Sequence, residues 1–496
     1  MMDNLPVLVV ILPLLATPLV LLLGGFGRAW AIATVACWVT LAATAALLQR
    51  VSVEGPVSYR LGNWAPPWGI EYRIDLMGAY VLLIVVAIAA LVLVFARQSV
   101  EKEITAERRV PFFAAYLLVV AGLAGITVTG DAFNLFVFLE ISSLASYALI
   151  SLGRDRRALT AAFQYLVMGT IGATFFIIGV GFLYMMTGTL NMMDLAERLP
   201  EVADTRMVRA AFAFIVVGLG LKLALFPLHM WMPDAYAYSP SVVSALLAAT
   251  ASKVAVYALL RFLFTIFGLE FALGDVPLDL LLMALGLIGI LFASLVAVFQ
   301  ENVKRMLAYS SVAQIGYIVL GISLANTTGV TASILHLFNH ALMKGALFLA
   351  LGAVVYRIGS ARIQDFHGLG YKMPWTMAGF VIGGLSLIGV PPTAGFISKW
   401  FLVTATLEQN LWPVAVVVLV GSILALIYVW RVVEAAYFIK PASQGIDQAG
   451  DVSEAPLSLV LPVWVLAAAN IWFGIHTDLS LGIATRASAA LLGGAP

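Results

Sequence analysis

The sequence predicts an all-α polytopic membrane protein with about fourteen transmembrane helices, two of them broken, in two inverted-topology repeats. Of its 496 residues, 62% are hydrophobic and only 11% are charged, whereas soluble globular chains contain roughly 45–50% apolar and 25% charged residues. Apolar runs of spanning length follow one another along the whole chain, and prolines interrupt two of them. These observations define a membrane protein rather than a soluble one.

The apolar runs that we interpret as membrane helices lie near residues 5–26, 29–49, 75–97, 110–129, 131–152, 161–187, 207–228, 240–267, 277–299, 304–325, 331–356, 375–398, 411–438 and 457–475. The first run is of full spanning length and no basic segment precedes it, so we expect a retained helix rather than a signal peptide. The apolar stretch after Leu479 is too short to span. We predict one integral membrane domain over residues 1–496, with approximate repeats over 110–267 and 277–438.

Lysine and arginine are distributed unevenly between the connecting loops. Loops after odd-numbered helices contain 15 of these residues, and loops after even-numbered helices contain 7. Cytoplasmic loops are enriched in lysine and arginine, so the odd loops should face the cytoplasm. We therefore expect both termini to face outward.

The composition also excludes several classes of function. The net charge of +1 gives no indication of nucleic-acid binding. The single cysteine, Cys37, lies in an apolar stretch and is interpreted as a small buried hydrophobic residue. The sequence contains no Cys/His cluster with metal-site spacing and no phosphate-binding glycine loop, so we predict neither a cofactor nor a bound metal.

Four of the eight lysines, Lys222, Lys253, Lys344 and Lys399, fall well inside predicted membrane helices, whereas the nineteen arginines lie in loops or toward helix ends. Arginine stays protonated, but a desolvated lysine can release its proton near neutral pH. A fixed positive charge could come from either residue, whereas a group that must release a proton has to be lysine. This asymmetry indicates proton transfer inside the membrane.

One carboxylate, Glu140, also lies inside a predicted membrane helix, as these lysines do. A lysine at the membrane centre costs roughly 2.5–3.5 kcal/mol, so four facing lipid would cost on the order of 10–14 kcal/mol. The lysines should therefore face the bundle interior, water or a partner charge. Glu140 and one lysine could form a fixed ion pair that only holds helices together, but this alternative leaves three lysines unexplained.

The stretch HLFNHALMKG places His336, His340 and Lys344 at positions i, i+4 and i+8 of a predicted helix. On an α-helix these side chains share one face and span about 12 Å along the axis. Such a line of titratable groups indicates a proton relay, although an interior histidine can equally be held by a hydrogen bond to a neighbour. His229, close to prolines near a helix end, is interpreted as structural.

Prolines interrupt the helices of two of these lysines. Lys222 lies at the start of LKLALFPLHMWMPDAYAYSP, and Lys399 lies at the end of GVPPTAGFISKW. Proline removes a helix hydrogen bond and clashes with the preceding turn, so both helices should be discontinuous. Irregular backbone at membrane depth is tolerated where it lines a hydrated cavity. Breaks in corresponding halves favour inverted repeats with functional sites at the breaks, although proline kinks also occur without any transport role.

Five stretches, in order along nearly the whole chain, are similar to a known family. They are GDAFNLFVFLEISSLASYALISLGRD, LKLALFPLHMWMPDAYAYSP, ENVKRMLAYSSVAQIGYI, HLFNHALMKGALF and GVPPTAGFISKWFL. They resemble the proton-translocating antiporter-like subunits, which include the large subunits of Mrp-type Na⁺/H⁺ antiporters and the membrane-arm subunits of respiratory NADH dehydrogenase and of membrane-bound hydrogenases. The first stretch is most similar to that of Mrp-type D subunits.

The resemblance implies proton-transfer roles for seven residues. These are the fifth-helix glutamate Glu140, the broken-helix lysine Lys222, the connecting lysine Lys253, the relay His336, His340 and Lys344, and the terminal lysine Lys399. It also implies a bacterial cytoplasmic (inner) membrane, Mrp A, B, C, E, F and G type partner subunits, and the substrates H⁺ and Na⁺. No soluble catalytic site is evident, so we expect a secondary transporter subunit rather than an enzyme.

The hypothesis is that protons cross through Lys222, Lys253, the relay and Lys399, with Glu140 as the switch, and drive export of a monovalent cation. The main alternative is a proton-pumping subunit of an NADH dehydrogenase-like or membrane-bound hydrogenase complex, which would use the same charged residues. A structural scaffold with vestigial charges is disfavoured, since buried charges cost insertion energy. The assembly implied by the family also makes a self-sufficient transporter the weaker interpretation.

Overall fold

The computed structural model describes residues 2–439 and 452–493, and these residues are almost entirely helical. The α-helices are α1 (Leu5–Leu23), α2 (Phe26–Glu54), α3 (Leu76–Glu103), α4 (Arg109–Val128), α5 (Ala132–Ser151), α6 (Arg157–Thr187), α7 (Met192–Arg198), α8 (Arg206–Leu223), α9 (Met232–Tyr238), α10 (Ser241–Ala249), α11 (Ala251–Leu260), α12 (Leu278–Val298), α13 (Val303–Ser323), α14 (Thr327–Ile358), α15 (Leu369–Lys372), α16 (Pro374–Ile388), α17 (Ala394–Glu408), α18 (Trp412–Tyr437), α19 (Leu457–Ile475) and α20 (Asp478–Leu491). A π-helical stretch, Arg261–Ile266, continues α11.

Two short strands depart from the all-α prediction. β1 (Val57–Arg60) and β2 (Glu71–Ile74) pair antiparallel, with Val57 opposite Ile74. Their alternating β-branched and aromatic residues suit a pleated, half-buried surface. Because four residues per strand are too few to span a membrane, the hairpin adds only an edge to the helical bundle.

Within the described residues, twelve helices are long and apolar enough to cross a membrane, counting Ser241–Ile266 as one. They coincide with twelve of the fourteen predicted spans. The other two predicted spans contain the proline-rich stretches, and they fold as α8 with α9 and as α16 with α17. The count of fourteen is therefore not confirmed, although both breaks lie where the prolines place them. α17 continues to Glu408, beyond the predicted end at residue 398.

The helix breaks have local backbone causes. The residue after α8, Ala224, has a left-handed φ of +61°, and the residue after α16, Gly389, has a φ of +91° that favours glycine. After α8, Trp231 Nε1 donates to Leu221 O at 3.0 Å, so a carbonyl freed by the break has a partner. A third interruption, at Thr250, separates α10 from α11, and neither proline nor glycine marks it in the sequence.

One end of the bundle, here named the hairpin face, contains β1 and β2. At this face Thr129 forms a bridge to Tyr72, and Asn191 forms one to Asp131. Asp3 pairs with Arg50 at the end of α2, and Arg486 of α20 donates to Ser52 O. The start of α1 and the end of α20 therefore lie at the same face, and the outward orientation of this face stays a prediction.

The opposite end, here named the basic face, gathers the loops rich in lysine and arginine. Arg154 donates to Lys102 O, and Lys102 donates to Tyr356 O. Asn302 forms a backbone bridge to Arg362. The odd loops that the positive-inside rule assigns to the cytoplasm thus lie together in space.

Glycines bring α6 close to α8, the helix that ends with Lys222. A Cβ atom at Gly218 would lie 2.6 Å from Gly172 O, and one at Gly179 would lie 2.6 Å from Ile215 Cγ1 and 2.8 Å from Ala211 O. Small residues at such contacts allow membrane helices to approach closely. The position of Lys222 therefore depends on this contact between α6 and α8.

We expect Gly179→Ala to lower the thermal unfolding midpoint, because its methyl group forces α6 and α8 apart at a cost of about 1–3 kcal/mol. Gly181→Ala is the matched control two residues away on α6, where nothing lies within 4 Å of an added Cβ atom. Fluorescence-detected size-exclusion chromatography of heated, detergent-solubilised protein would measure both. Equal midpoints for the two variants would contradict the importance of this contact.

Candidate proton-transfer site

Glu140 and Lys222 form an ion pair inside the bundle. Lys222 Nζ lies 3.1 Å from Glu140 Oε1 and donates to Ser143 Oγ at 2.9 Å. The lysine side chain is 4% exposed and the glutamate side chain is 21% exposed. Ser143 lies one turn beyond Glu140 on α5, so this helix supplies both acceptors of the ammonium group.

Lys399 is held by the break that precedes it. Its Nζ donates to Leu387 O at 3.0 Å, to Ile388 O at 2.9 Å and to Ser422 Oγ at 3.0 Å. The two carbonyls belong to the last turn of α16, where the helix dipole and unpaired carbonyl groups favour a cation. The ring of Tyr317 lies 4.7 Å from Nζ and adds a cation–π contact.

Lys253 occupies the other interruption. Its Nζ donates to Ala248 O, a carbonyl at the end of α10 that the turn at Thr250 leaves available. Lys253 is 1% exposed, and none of the described carboxylates pairs with it. Each of Lys253 and Lys399 therefore binds main-chain carbonyls at the end of a neighbouring helix segment.

His336 and His340 lie on α14 with nearly parallel rings, 6.2 Å apart at an interplanar angle of 11°. Both nitrogens of His336 are hydrogen-bonded, Nδ1 with Ser398 Oγ at 2.8 Å and Nε2 with Gln314 Oε1 at 2.9 Å. These contacts join α13, α14 and α17. Because Ser398 precedes Lys399, His336 fixes the position of the helix that carries the terminal lysine.

His340 differs from His336 in its surroundings. It is 0% exposed, and neither ring nitrogen has a hydrogen-bond partner among the described residues. The amide oxygen of the neighbouring Asn339 is likewise unpartnered within this part of the chain. Interior polar atoms almost always have a partner, so these three atoms are exceptions within the described residues.

Lys344 completes the predicted line on α14. It is fully buried and donates to Leu307 O at 2.8 Å and to Ser310 Oγ of α13. His336 and Lys344 each lie about one turn from His340 on α14, and α10, which provides the carbonyl partner of Lys253, packs against the same helix. No hydrogen bond in the described residues joins Lys222 to Lys253.

The packing of the helices connects the whole set. α14 packs against α10, α13 and α17, and α11 packs against α8. The seven predicted residues therefore lie in one connected group of helices, as the sequence predicts from their membrane depth. Glu140 and Lys222 form one end of this group, and Lys399 forms the other.

Three further polar residues near helix ends have local roles. His229 is 2% exposed and stacks on Phe226 at 5.3 Å. Asp131 caps the start of α5 by accepting from Asn134 N at 2.7 Å, and burial raises the pKa of this carboxyl. Asp234, at the start of α9, lies 3.6 Å from Arg305 at the basic face.

Sequence reasoning missed several groups. Lys304, which it assigns to a loop, is 5% exposed in the first turn of α13 and donates to Ser239 O at 3.0 Å. Arg261 is also buried and pairs with Asp75 at the hairpin face. The hydroxyl and amide groups that hold His336 and Lys399 come from distant stretches, and no spacing in the sequence indicates these contacts.

Comparison with known proteins assigns this arrangement to a family. Residues 129–425 match the family described as NADH:quinone oxidoreductase/Mrp antiporter, TM, and the chain belongs to this family. It is 43% identical over 497 residues to NADH-quinone oxidoreductase subunit N of Desulforudis audaxviator, covering 96% of this chain and 97% of the relative. It is 32% identical over 432 residues to the D subunit of the Na⁺/H⁺ antiporter of Alkalihalophilus pseudofirmus, covering 87% and 85%.

A solved structure extends the similarity to the fold. A chain in the Mrp complex from Dietzia sp. DQ12-45-1b superposes with a TM-score of 0.90 at 27% identity, covering 99% of this chain and 97% of that one. The chain is thus a multi-pass, proton-translocating membrane subunit of the antiporter-like superfamily. The narrower assignment to Mrp-type D subunits is not confirmed, because the relative at 43% identity is a quinone oxidoreductase subunit.

We expect the two histidines to respond differently to substitution. His340→Leu removes the unpartnered imidazole and should lower proton transport by the assembled complex at least tenfold. His336→Gln can keep hydrogen bonds to Ser398 and Gln314 and should retain most of the transport. Dye-detected ΔpH in vesicles measures both. Normal transport by His340→Leu, with complete loss in His336→Gln, would reverse these roles.

Proposed function

We propose that this chain transfers protons across the membrane along its buried axis, as a subunit of a multisubunit monovalent cation (Na⁺)/H⁺ antiporter. The proposed proton-transfer residues are Glu140, Lys222, Lys253, His336, His340, Lys344 and Lys399, with His336 acting mainly by holding α17. The observation that supports the proposal most is the ion pair of Glu140 and Lys222, with three further lysines buried in the same helical bundle.

The ion pair acts as a switch. While Glu140 lies 3.1 Å from Lys222, the negative carboxylate favours the charged ammonium. When the pair separates, desolvation favours the neutral amine, and Lys222 passes its proton toward Lys253. Lysine suits this step because it can lose its proton, which arginine cannot do in proteins.

Water connects the groups that do not touch one another. Lys222 and Lys253 share no hydrogen bond in the described residues, and His340 offers two unpartnered nitrogens to bridging molecules. Breaks in α8–α9, α10–α11 and α16–α17 supply irregular backbone beside each of these gaps. Such backbone at membrane depth is characteristic of cavities that admit water.

The energies involved are compatible with coupling to the membrane potential. A tenfold change in proton affinity corresponds to about 1.4 kcal/mol. A unit charge crossing 100 mV gains about 2.3 kcal/mol. Opening and closing one ion pair changes proton affinity by enough to couple a proton to a potential of this size.

The position of Glu140 supports a neighbouring subunit. It borders the outer stripe of α5, where Phe133 is 47% and Leu144 is 54% exposed. A carboxylate that faces lipid at mid-membrane is costly. The Glu140 side chain is 21% exposed on this subunit, so we expect a partner subunit rather than lipid to cover it. Partner subunits of the A, B, C, E, F and G type would supply that cover and the cation path.

The coupling to sodium is the finer part of the proposal. The stretch around Glu140 and the similarity to the D subunit of a Na⁺/H⁺ antiporter support it. The second candidate is a proton-pumping subunit of a redox-linked complex, which the similarity to a quinone oxidoreductase subunit favours. Both candidates place the chain in an energy-coupling membrane, and the same axis serves both. In either case we propose that this chain moves protons and performs no redox chemistry itself.

Sodium-dependent dequenching of a ΔpH-sensitive dye in everted vesicles tests the antiport proposal. The chain would be expressed with its neighbouring genes in an antiporter-deficient host. We expect the wild type to exchange Na⁺ for H⁺, and both Glu140→Gln and Lys399→Ala to assemble but lose at least nine-tenths of the signal. Glu197→Gln, at an exposed carboxylate on α7, is the control and should behave as the wild type.

A wild-type assembly without any cation-dependent signal would contradict antiport and favour the redox-linked candidate. Normal exchange in Lys399→Ala would show that the terminal step of the axis is wrong.

Lys222→Arg separates proton release from charge pairing. Arginine keeps the ion pair with Glu140 and therefore assembly, but it stays protonated. We expect proton transport to fall at least tenfold in dye-loaded vesicles while the amount of assembled complex, measured on native gels, is unchanged. Transport at the wild-type rate would mean that Lys222 supplies only a fixed charge.

A further inference from the structure

A polar cavity of about 160 Å³ opens at the hairpin face, where neither the sequence motifs nor the proposed axis places a function. Its polar lining comes from β2, the start of α3, the end of α4, and α11 with its π-helical continuation: Arg73, Asp75, Thr129, Tyr257, Arg261 and Thr265. We refer to this cavity as the outer vestibule. Its charges are paired within the chain, Arg261 with Asp75 and Arg73 with Glu71.

Tyr257 forms the inner wall of the outer vestibule. It is 2% exposed, donates its hydroxyl to Thr127 O at 3.0 Å, and accepts from Arg261 Nε at 3.0 Å. A Cβ atom at Gly78 would lie 3.2 Å from the hydroxyl, so α3 packs closely against it. The phenol thus has a fixed position between α3, α4 and α11.

A second, smaller cavity of about 20 Å³ lies beside Lys222, between α4, α5 and α11. Lys222 and the hydroxyls of Ser142, Ser143 and Ser146 line it, and this volume is sufficient for one water molecule. On α11, Val254 and Ala255 line this inner cavity, and Tyr257, three residues beyond Val254 along the same face of the helix, lines the outer vestibule. Three residues of helix correspond to about 4.5 Å along the axis, so a layer of about one turn of side chains separates the two cavities.

We infer that Tyr257 lies on a second proton route, which joins the Glu140–Lys222 pair directly to the hairpin face without passing through Lys399. This inference deepens the proposed function and rests on it. The hydroxyl, which donates to Thr127 O in this structure, first turns toward water in the outer vestibule. Its proton then leaves to that water while a proton from water in the inner cavity bonds to the phenol oxygen. The phenol is regenerated once its hydroxyl rotates back, and one positive charge has crossed.

The layer selects protons over metal cations. A phenol hydroxyl can both donate and accept a hydrogen bond, which suffices for a proton relay. A sodium ion would need several oxygen ligands, whereas the carboxylates at the outer vestibule already pair with arginine. Although burial disfavours a charged Asp75, Arg261 beside it holds the pKa of that carboxyl below its ordinary value, so the pair stays charged and closed to sodium.

Thiol accessibility tests the layer independently of transport. Cys37, which is buried, is first replaced by alanine. In the assembled complex, an impermeant trimethylammonium methanethiosulfonate reagent is added from each side of the membrane in turn. The fraction of this chain whose thiol has not reacted is then measured on denaturing gels.

We expect Thr265→Cys to react from one side only. Ala255→Cys should be unreactive while Tyr257 is present, and at least tenfold faster from that same side in the Tyr257→Ala background. Val167→Cys, on the lipid-facing side of α6, is the unreactive control. The inference would be overturned if Thr265→Cys did not react. It would also be overturned if Ala255→Cys, in the Tyr257→Ala background, stayed unreactive or reacted only from the opposite side.

Tyr257→Phe tests the relay with little change in packing. We expect proton transport to fall at least threefold, because the hydroxyl is gone. Ala255→Cys should remain protected, because the phenylalanine ring still closes the layer between the two cavities. Wild-type transport in Tyr257→Phe would show that Tyr257 relays no protons. Because the labelling requires no transport, a complex that lacks Na⁺/H⁺ exchange would refute antiport and still leave the two cavities testable.

Discussion

The ion pair between Glu140 and Lys222 is the interaction on which the rest of the site depends. A lone charge at mid-membrane costs several kcal/mol, and it persists in a protein only if a partner, water or a helix terminus compensates it. Glu140 compensates Lys222 directly at 3.1 Å. The other buried lysines find main-chain carbonyls or hydroxyls instead, and in the proposed function this difference makes the first pair the place where a small movement changes a proton affinity.

The helix breaks explain how the remaining charges are tolerated. The last turn of α16 presents two carbonyls to Lys399, and the end of α10 presents one to Lys253, because carbonyls at a helix end have no partner within the helix. An ammonium held by main-chain dipoles is stabilised without a carboxylate, so it can lose its proton without leaving an unpaired negative charge behind. The irregular backbone is thus part of the chemistry as well as of the fold.

Much of the fold and of the site follows from the sequence, for identifiable reasons. Apolar runs and prolines predict the spans and both main breaks, because membrane helices and proline are governed by local rules. The identity of the axis residues follows from the cost of burying charge. The break at Thr250 could not be predicted, because neither proline nor glycine marks it in the sequence. The contacts of His336 could not be predicted either, because Gln314 and Ser398 are distant from it in sequence. His336 and His340 look equivalent in HLFNHALMKG, and only their neighbours distinguish them.

The charged residues do not distinguish a sodium-coupled subunit from a redox-coupled one. Lysines and histidines move protons in the same way whether sodium or a redox reaction supplies the energy, so the partner subunits determine that choice. One expectation about the proposed axis does not depend on the partner subunits. Glu140 and Lys222 should act as one unit, since each matters through its effect on the other.

A double-mutant cycle on proton transport tests this claim most directly. Rates would be measured in vesicles containing equal amounts of assembled complex for the wild type, Glu140→Gln, Lys222→Met and the double variant. If the two residues act as a unit, the double variant should transport no more slowly than the worse single variant. Losses that multiply in the double variant would mean that the residues act independently and would contradict the switch.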